Sequence, residues 1–382
     1  MSSPKPKPEI RRATVLDMPK VLDFVDQTYG AGAAYKNEAR HHWQFEANPF
    51  RPAHETQPTI WLALDGARVV GTIAVQDGVI WLGEEPVPAC WIVDVMVHPG
   101  ARGQGLSHQI HAAIMAERAV LVTLTMAPAT RRVAERAGAI TLGPTRLFIL
   151  PLRVSARLVA RFLDHKAHTS SRARARILRV FNASAIGPMI AAATGRFLGF
   201  AARMRASSQM PTGFHHEEVD RFPDEIDDLW DRVRPRSGHI FERSARFLNW
   251  RFLDCPGLSY RRFLLYKNGA LAGYLVTRLG DPAELPLGVV ADAFADPSDG
   301  AALDALLILA RNVLSSGSEY LEAAASAPAW QDALRRAGFI ATKTMRPTIV
   351  CTDPNLRARL ASTGNDWHFT KADHDWDQIH PI

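Results

Sequence analysis

The groups best spaced for chemistry lie between Val93 and Ser107, which read VDVMVHPGARGQGLS. An apolar run stops at His98 and Pro99, the turn Arg102-Gly103-Gln104-Gly105 follows, and a helical pattern opens directly after it. A helix N-terminus leaves backbone N–H groups without internal partners, and the macrodipole places partial positive charge at the same end. Glycine lets that backbone approach an anion closely, and Arg102 adds a fixed positive charge with several donors. A pyrophosphate suits such a turn. The spacing Arg102-x-x-Gly105-x-Ser107 differs from the dinucleotide fingerprint GxGxxG. One acid, Asp94, stands in the apolar run with its side chain facing opposite to Val93 and Val95. Burial raises the pKa of a carboxyl group, which suits a general base.

Other constellations are poorer. His41 with His42 and His215 with His216 are adjacent pairs, a poor chelating arrangement, and His108 with His111 lack further ligands nearby, so these read as solvated or helix-surface side chains and no metal site is expected. Three widely spaced cysteines, Cys90, Cys255 and Cys351, imply neither a disulfide framework nor zinc and fit a reducing cytoplasm. The opening MSSPKPKPEIRR has charge and proline but no apolar stretch, so residues 1–9 read as a disordered tail and not a signal peptide. The net charge of +6 comes from one segment. Between Arg153 and Arg205 there are eleven Lys or Arg and a single acid, Asp164, so the remainder is mildly acidic.

The elements that must hold Val93–Ser107 follow from periodicity. Ile10 starts a short strand, and an amphipathic helix begins near Asp17 with Pro19 in its first turn. Two apolar strands flank Asp65-Gly66 as a hairpin, and Trp91–Val97 forms the strand before the turn. Leu106–Arg118 reads as a helix, Ala119–Met126 as a strand rich in β-branched residues, Pro128–Ala137 as a helix ended by Gly138, and Thr145–Leu152 as a closing strand.

This order, with the glycine turn in its place, resembles the GNAT superfamily of N-acyltransferases, whose coenzyme A loop has the form Q/R-x-x-G-x-G/A. Arg102 and Gly105 match, and Ser107 replaces the last small residue. The resemblance implies acetyl-CoA, or another acyl-CoA, as co-substrate. It implies that the backbone near Val95, Met96 and Val97 pairs with the pantetheine arm and thioester oxygen, and that Arg102, Gly103, Gln104, Gly105, Leu106 and Ser107 hold the pyrophosphate. The family's frequent tyrosine, four residues before the glycine that ends the next helix, is Ala134 here, and its frequent asparagine is Ala127. Tyr29 or Tyr35 would then supply the proton for the leaving thiolate, unless it departs to water.

The pattern occurs twice. Trp250, Phe252 and Pro256 repeat Trp43, Phe45 and Pro49; a hairpin turning at Asn268-Gly269 repeats the first; Val289–Pro297 repeats the opening strand, so Asp292 corresponds to Asp94; and Ser326–Phe339 repeats Met126–Ala139. After Pro297 the second copy reads Ser298-Asp299-Gly300, without arginine and with an acid where phosphate would sit. The recurrence of the acid also admits a structural role for Asp94.

The expected fold is α/β (α+β): two GNAT-type domains, each a mixed, mostly antiparallel central sheet flanked by helices, joined by a basic helical insert. The expected boundaries are 10–152 for the acyl-CoA domain, 153–210 for the insert, 211–352 for a degenerate copy, and 353–382 for a tail that packs back through Trp367 and Trp376. Sixteen uncharged residues, Val180–Gly195, are too few and too broken by Gly187 and Pro188 for a membrane span. The insert reads as a solvated or packed basic helix pair, with peripheral membrane contact through 153–205 as the second reading. Missing interleaved aromatics disfavour nucleic acid. The expected function is acyl transfer to the primary amine of a small molecule or peptide. The alternative is a non-catalytic CoA-binding or GNAT-fold regulatory or assembly protein, associated with a membrane surface.

Overall fold

The computed structural model describes residues 7–29, 36–126, 128–153, 209–280, 286–364 and 366–378, with a few isolated positions between 155 and 200. Most of the basic insert expected over 153–210, and with it the expected membrane contact, lies outside the described residues, as do Tyr35 and Ala127.

In chain order the elements are β1 (Glu9–Arg12), α1 (Met18–Tyr29), α2 (Glu38–Phe45), β2 (Ile60–Asp65), β3 (Arg68–Leu82), β4 (Glu85–Val97), α3 (Leu106–Glu117), β5 (Val120–Thr123), α4 (Pro128–Arg136), β6 (Ile140–Thr141) and β7 (Thr145–Pro151). They continue with β8 (Phe214–Glu218), α5 (Glu225–Val233), β9 (His239–Phe241), α6 (Ala245–Phe252), β10 (Arg261–Lys267), β11 (Ala270–Leu279), β12 (Leu287–Ala295) and α7 (Gly300–Leu314). The last are β13 (Tyr320–Ala325), α8 (Pro328–Arg336), β14 (Ile340–Met345), β15 (Thr348–Cys351), α9 (Pro354–Ser362) and β16 (Trp367–His368).

The chain divides into two compact units. One comprises Met1–Gly143, Gly238–Leu258 and Arg346–Trp367, the other Pro144–Ser237, Ser259–Met345 and His368–Ile382. In the first, the strand order is β1-β2-β3-β4-β5-β15-β6, with β9 pairing the far end of β3. Its pairs are antiparallel except β4 with β5. Leu106, Ile110 and Ile114 recur every four residues along α3, the spacing of one helical face, and are buried against Trp61, Ile73 and Ile92. In the second unit the order is β14-β7-β13-β12-β11-β10-β8, and β12 with β13 is the parallel pair. There α7 buries Leu303, Leu306, Ala310 and Leu314 with Phe263 and Leu275.

The structure differs from the expected boundaries at one kind of element. Thr145–Pro151, expected to close the first domain, pairs instead with β13 and β14 in the second sheet. Its counterpart Thr348–Cys351 closes the first sheet against β5 and β6. Each of these strands follows the same helix–glycine–strand block, so either sheet offers either strand the same kind of edge. Alternation along a strand specifies which face is buried and says nothing of which sheet receives it. The segment Gly238–Leu258 likewise belongs to the first unit, and the expected tail 353–382 is split between the two.

The repeated Trp-x-Phe motifs meet inside the first unit. Trp43 of α2 and Trp250 of α6 stack with ring centroids 4.9 Å apart and an interplanar angle of 20°. Each indole N–H donates to the other residue's backbone carbonyl, Trp43 to Trp250 at 2.8 Å and Trp250 to Trp43 at 3.2 Å. A buried indole needs both a packed ring and a partner for its N–H, and the pair satisfies both needs reciprocally. Trp43→Ala is expected to cost about 3–5 kcal/mol, read as a lower urea midpoint; an unchanged midpoint would show that the stack carries no stability.

Candidate functional site

β4 runs beside β3 to its last residue but beside β5 only briefly. The parallel pairing is confined to Cys90↔Leu121 and Trp91↔Val122. β5 ends at Thr123, one residue past this pair, while β4 runs on to Val97, so the end of β4 has one edge that β5 does not cover. A bulge reinforces the opening. Thr72 pairs Met96 while Ala74 pairs Val93, so Asp94 and Val95 together oppose the single residue Ile73. Asp94 takes φ +51°, a left-handed conformation that aspartate tolerates better than its β-branched neighbours. Such a bulge bends the strand and re-aims its side chains. Of the three positions assigned from the sequence, Val95 is 48% exposed, Met96 is buried and Val97 is half-buried.

The turn that follows is tied back to its own strand. His98 Nδ1 accepts from the Gly100 N–H at 3.1 Å, and Arg102 Nε donates to the Val97 carbonyl at 3.3 Å. Gly103 and Gly105 have φ +81° and +72°, values that any Cβ would strain. Gly105 is the N-cap of α3 and offers no side chain to it. The first N–H groups of α3 thus receive no side-chain bond from the cap residue, with Leu106 sunk into the core to fix the helix start and Ser107 half-buried in its first turn. Arg102, Gly103, Gln104 and Gly105 are exposed. Beside the turn lies an open groove of about 660 Å³ whose lining includes Lys7, Arg68, His98, Gln104 and Gln109.

Asp94 does not face an apolar interior. Its carboxylate is ion-paired with the ammonium of Lys36, and the two side chains are 9% and 5% exposed. Lys36 precedes α2, which is capped by Asn37 accepting from the Arg40 N–H at 3.1 Å. One turn on, His41 Nδ1 lies 3.0 Å from the Asn37 carbonyl. A ring nitrogen facing a carbonyl carries the proton, so the basic atom of the neutral ring is Nε2. Burial pushes the His41 pKa below its ordinary 6.5, against the pull of the Asn37 carbonyl and the Asp94 charge.

Two groups here escaped the sequence reading. Lys36 lies in no motif, and its distance from Asp94 in the chain hides their pairing. His41 was expected to be solvated; it is buried and only His42 is exposed, because α2 turns Arg40, His41, Gln44 and Phe45 inward. The signal was available in the helical spacing of His41 and Phe45. His111 is also mostly covered, with Nδ1 2.7 Å from the Ser107 carbonyl and a pKa lowered by burial. Ala134 lies on α4, so no hydroxyl stands at that position. Tyr29 ends α1. Among the described residues no cluster of three or more His, Cys, Asp or Glu is placed to hold a metal ion.

A two-unit α/β chain with an opened parallel pair and a glycine turn at a helix start has the fold of the GNAT acyltransferases, in tandem. Residues 9–138 match the family model described as the acetyltransferase (GNAT) domain. No curated protein matches the sequence. Among solved structures, a GCN5-related N-acetyltransferase from Anabaena variabilis is 13% identical with a TM-score of 0.55, covering 91% of this chain and 73% of that one. A second GCN5-related N-acetyltransferase, from Kribbella flavida, is 16% identical with a TM-score of 0.53, covering 91% and 72%. N-myristoyltransferase from Saccharomyces cerevisiae, with bound myristoyl-CoA, is 11% identical with a TM-score of 0.54, covering 91% and 79%. At these identities the likeness is one of fold.

Removing the cation from a buried pair strands the carboxylate, so Lys36→Met is expected to destabilise the protein by about 3–5 kcal/mol. Gly105→Ala, which only forces a left-handed backbone, is expected to cost about 1–2 kcal/mol. Thermal unfolding of both variants ranks them; an equal or reversed order would mean that the ion pair does not hold the bulge.

Proposed function

We propose that the first unit moves an acetyl or other acyl group from coenzyme A to a primary amine. The observation that carries this reading is the adjacency of two features on one strand: the end of β4 left uncovered by β5, and the uncapped start of α3 with Arg102 beside it. An extended amide-bearing arm can pair with the first, and a pyrophosphate with the second. Val95, Met96 and Val97 would present backbone groups to the arm and to the thioester oxygen, and Arg102 to Ser107 would cradle the diphosphate.

The chemistry asked of the chain is then limited. Acyl transfer joins the amine nitrogen to the thioester carbonyl carbon, breaks the carbon–sulfur bond, and releases one proton from nitrogen and one thiolate. Backbone donors near the bulge would stabilise the charge that develops on the carbonyl oxygen. Asp94, at the bulge, is the candidate acceptor of the amine proton, and Lys36 holds its carboxylate in place. His41, neutral at pH 7 and within the electrostatic reach of Asp94, offers a second basic nitrogen in the same cluster. The acceptor is a small-molecule or peptide amine. We place the protein in the cytoplasm: its three cysteines are free and buried, and among the described residues no helix is long and apolar enough to cross a membrane. The alanine at position 134 favours the second reading, in which the site binds acyl-CoA for regulation or assembly without transfer.

Equilibrium binding of acetyl-CoA tests the site. Wild-type protein should saturate, and Arg102→Glu, which turns a phosphate donor into an opposing charge, should weaken binding by about tenfold or more. Unchanged affinity in Arg102→Glu would sink the assignment of the turn. Thiol release with a panel of amines separates transfer from mere binding. Because the His41 pKa is lowered, its base form persists down through pH 6.5. A rate that needs His41 should therefore hold at pH 6.5 and fall only at lower pH. His41→Gln should lower that rate across the whole range, whereas Asp94→Asn alone should do so if the carboxylate is the base.

A further inference from the structure

The second copy repeats the opened parallel pair. β12 pairs β13 only at Leu287↔Tyr320, Gly288↔Leu321 and Val289↔Glu322, although the strands continue to Ala295 and Ala325. The gap beyond is filled by the end of the chain. Phe369 donates its N–H to Ser326 Oγ at 2.6 Å and accepts from the Ser326 N–H at 3.1 Å, just past the end of β13. Thr370 Oγ1 donates to the Asp292 carboxylate of β12 at 2.8 Å. Lys371 Nζ pairs with Glu322 of β13 at 2.6 Å, the two side chains being 1% and 4% exposed. The tail thus bonds to a side chain of each strand, Asp292 and Glu322, and to Ser326 just past β13. Farther on, Tyr260 donates to the Asp377 carboxylate at 2.5 Å, and Arg278 Nε donates to its carbonyl at 2.7 Å. From His368 to Gln378 only His374 is more than marginally exposed. What remains of the gap is a cavity of about 20 Å³ beside Asp292, Trp330 and Phe369, the size of a single water molecule.

The helix start is filled in the same manner. Asp299 caps α7, its carboxylate accepting from the Ala302 N–H at 3.1 Å, and Lys267 Nζ lies 2.5 Å from its other oxygen. A carboxylate already stands where a phosphate would meet those N–H groups, whereas Gly105 has no side chain to offer the corresponding groups of α3.

We infer that the second copy is liganded by the chain itself. Residues 368–378 take the place of an acyl-CoA arm between β12 and β13, and Asp299 takes the place of its phosphate, so each chain binds one acyl-CoA and the second unit is a closed scaffold. The count of one rests on the proposed function of the first unit; the occupation of the second gap does not.

Hydrogen exchange on the full-length protein tests the tail. Phe369→Ala should lower amide protection over residues 290–295 and 323–326 by about tenfold or more and leave β2 unchanged. Thr370→Val, nearly isosteric, removes one bond to β12 and should give a smaller loss in the same two stretches. Unchanged protection there in both variants would overturn the inference. Titration with acetyl-CoA should end at one equivalent in wild type and in Thr370→Val, and a second equivalent bound by wild type would overturn it as well. Should wild type bind none, the reading of the first unit falls, and the exchange comparison still decides what occupies the second.

Discussion

A sheet that opens between two of its own strands leaves backbone N–H and C=O groups facing a gap, and such groups need partners as much as any others in the fold. Both units are built around this constraint. In each, one parallel pair is cut short after two or three residues: in the first β5 ends while β4 runs on, and in the second both strands continue unpaired with each other. Everything nearby answers the exposed edges. In the first unit a bulge at Asp94–Val95 bends the edge and an uncapped helix begins beyond it. In the second, a length of the chain's own tail bonds to carboxylate side chains of both strands and to the backbone of Ser326 just past β13. The two copies share an architecture and differ in what satisfies it.

The gap divides each sheet near its middle. β5, β6 and their partner form a short block in the first unit, and β13, β7 and β14 a matching one in the second. The last strand of each block comes from the other half of the sequence. This exchange ties residues 145–151 to the second fold and 348–351 to the first. Neither unit is a contiguous stretch of chain, so neither sheet is complete until both halves of the sequence have been made.

The glycine turn, the hairpins, the helix after the turn and the duplication were all legible in the sequence, since each rests on local spacing or on a block repeated in order. The turns at Asp65-Gly66 and Asn268-Gly269 join paired strands, and Asn268 and Gly269 take the positive φ expected of such a turn. What escaped was long-range. Strand exchange is invisible to periodicity, because the two exchanged strands are equivalent by descent. The Lys36–Asp94 pair joins residues far apart in the chain with no motif to mark the lysine. The tail was expected to pack through its tryptophans, and Trp367 and Trp376 are buried, but its bonds to the strands were not foreseen. Its polar side chains, Thr370 and Lys371, are what reach the two strands, and a buried lysine is not foreseeable without the carboxylate that accepts it.

Asp94 and Asp292 show how the same inherited position came to differ. Asp292 is fully buried and accepts from two neutral hydroxyls, those of Tyr274 at 2.8 Å and Thr370 at 2.8 Å. The extra residue of its strand, Ala291, lies just before it, so the acid itself remains in a regular extended run. Asp94 is part of the bulge, has a left-handed backbone, and is paired with an ammonium. Recurrence of the acid argues that a carboxylate at the lip of the gap belongs to the fold, since it can hold whatever crosses the opening. In the second copy that partner is the tail, which fixes Asp292 as a structural acceptor. Among the described residues no segment spans the lip in this way in the first, and Val95 beside the acid stays half exposed. The chemical difference between the copies therefore lies less in the acid than in whether the gap it borders has already been filled.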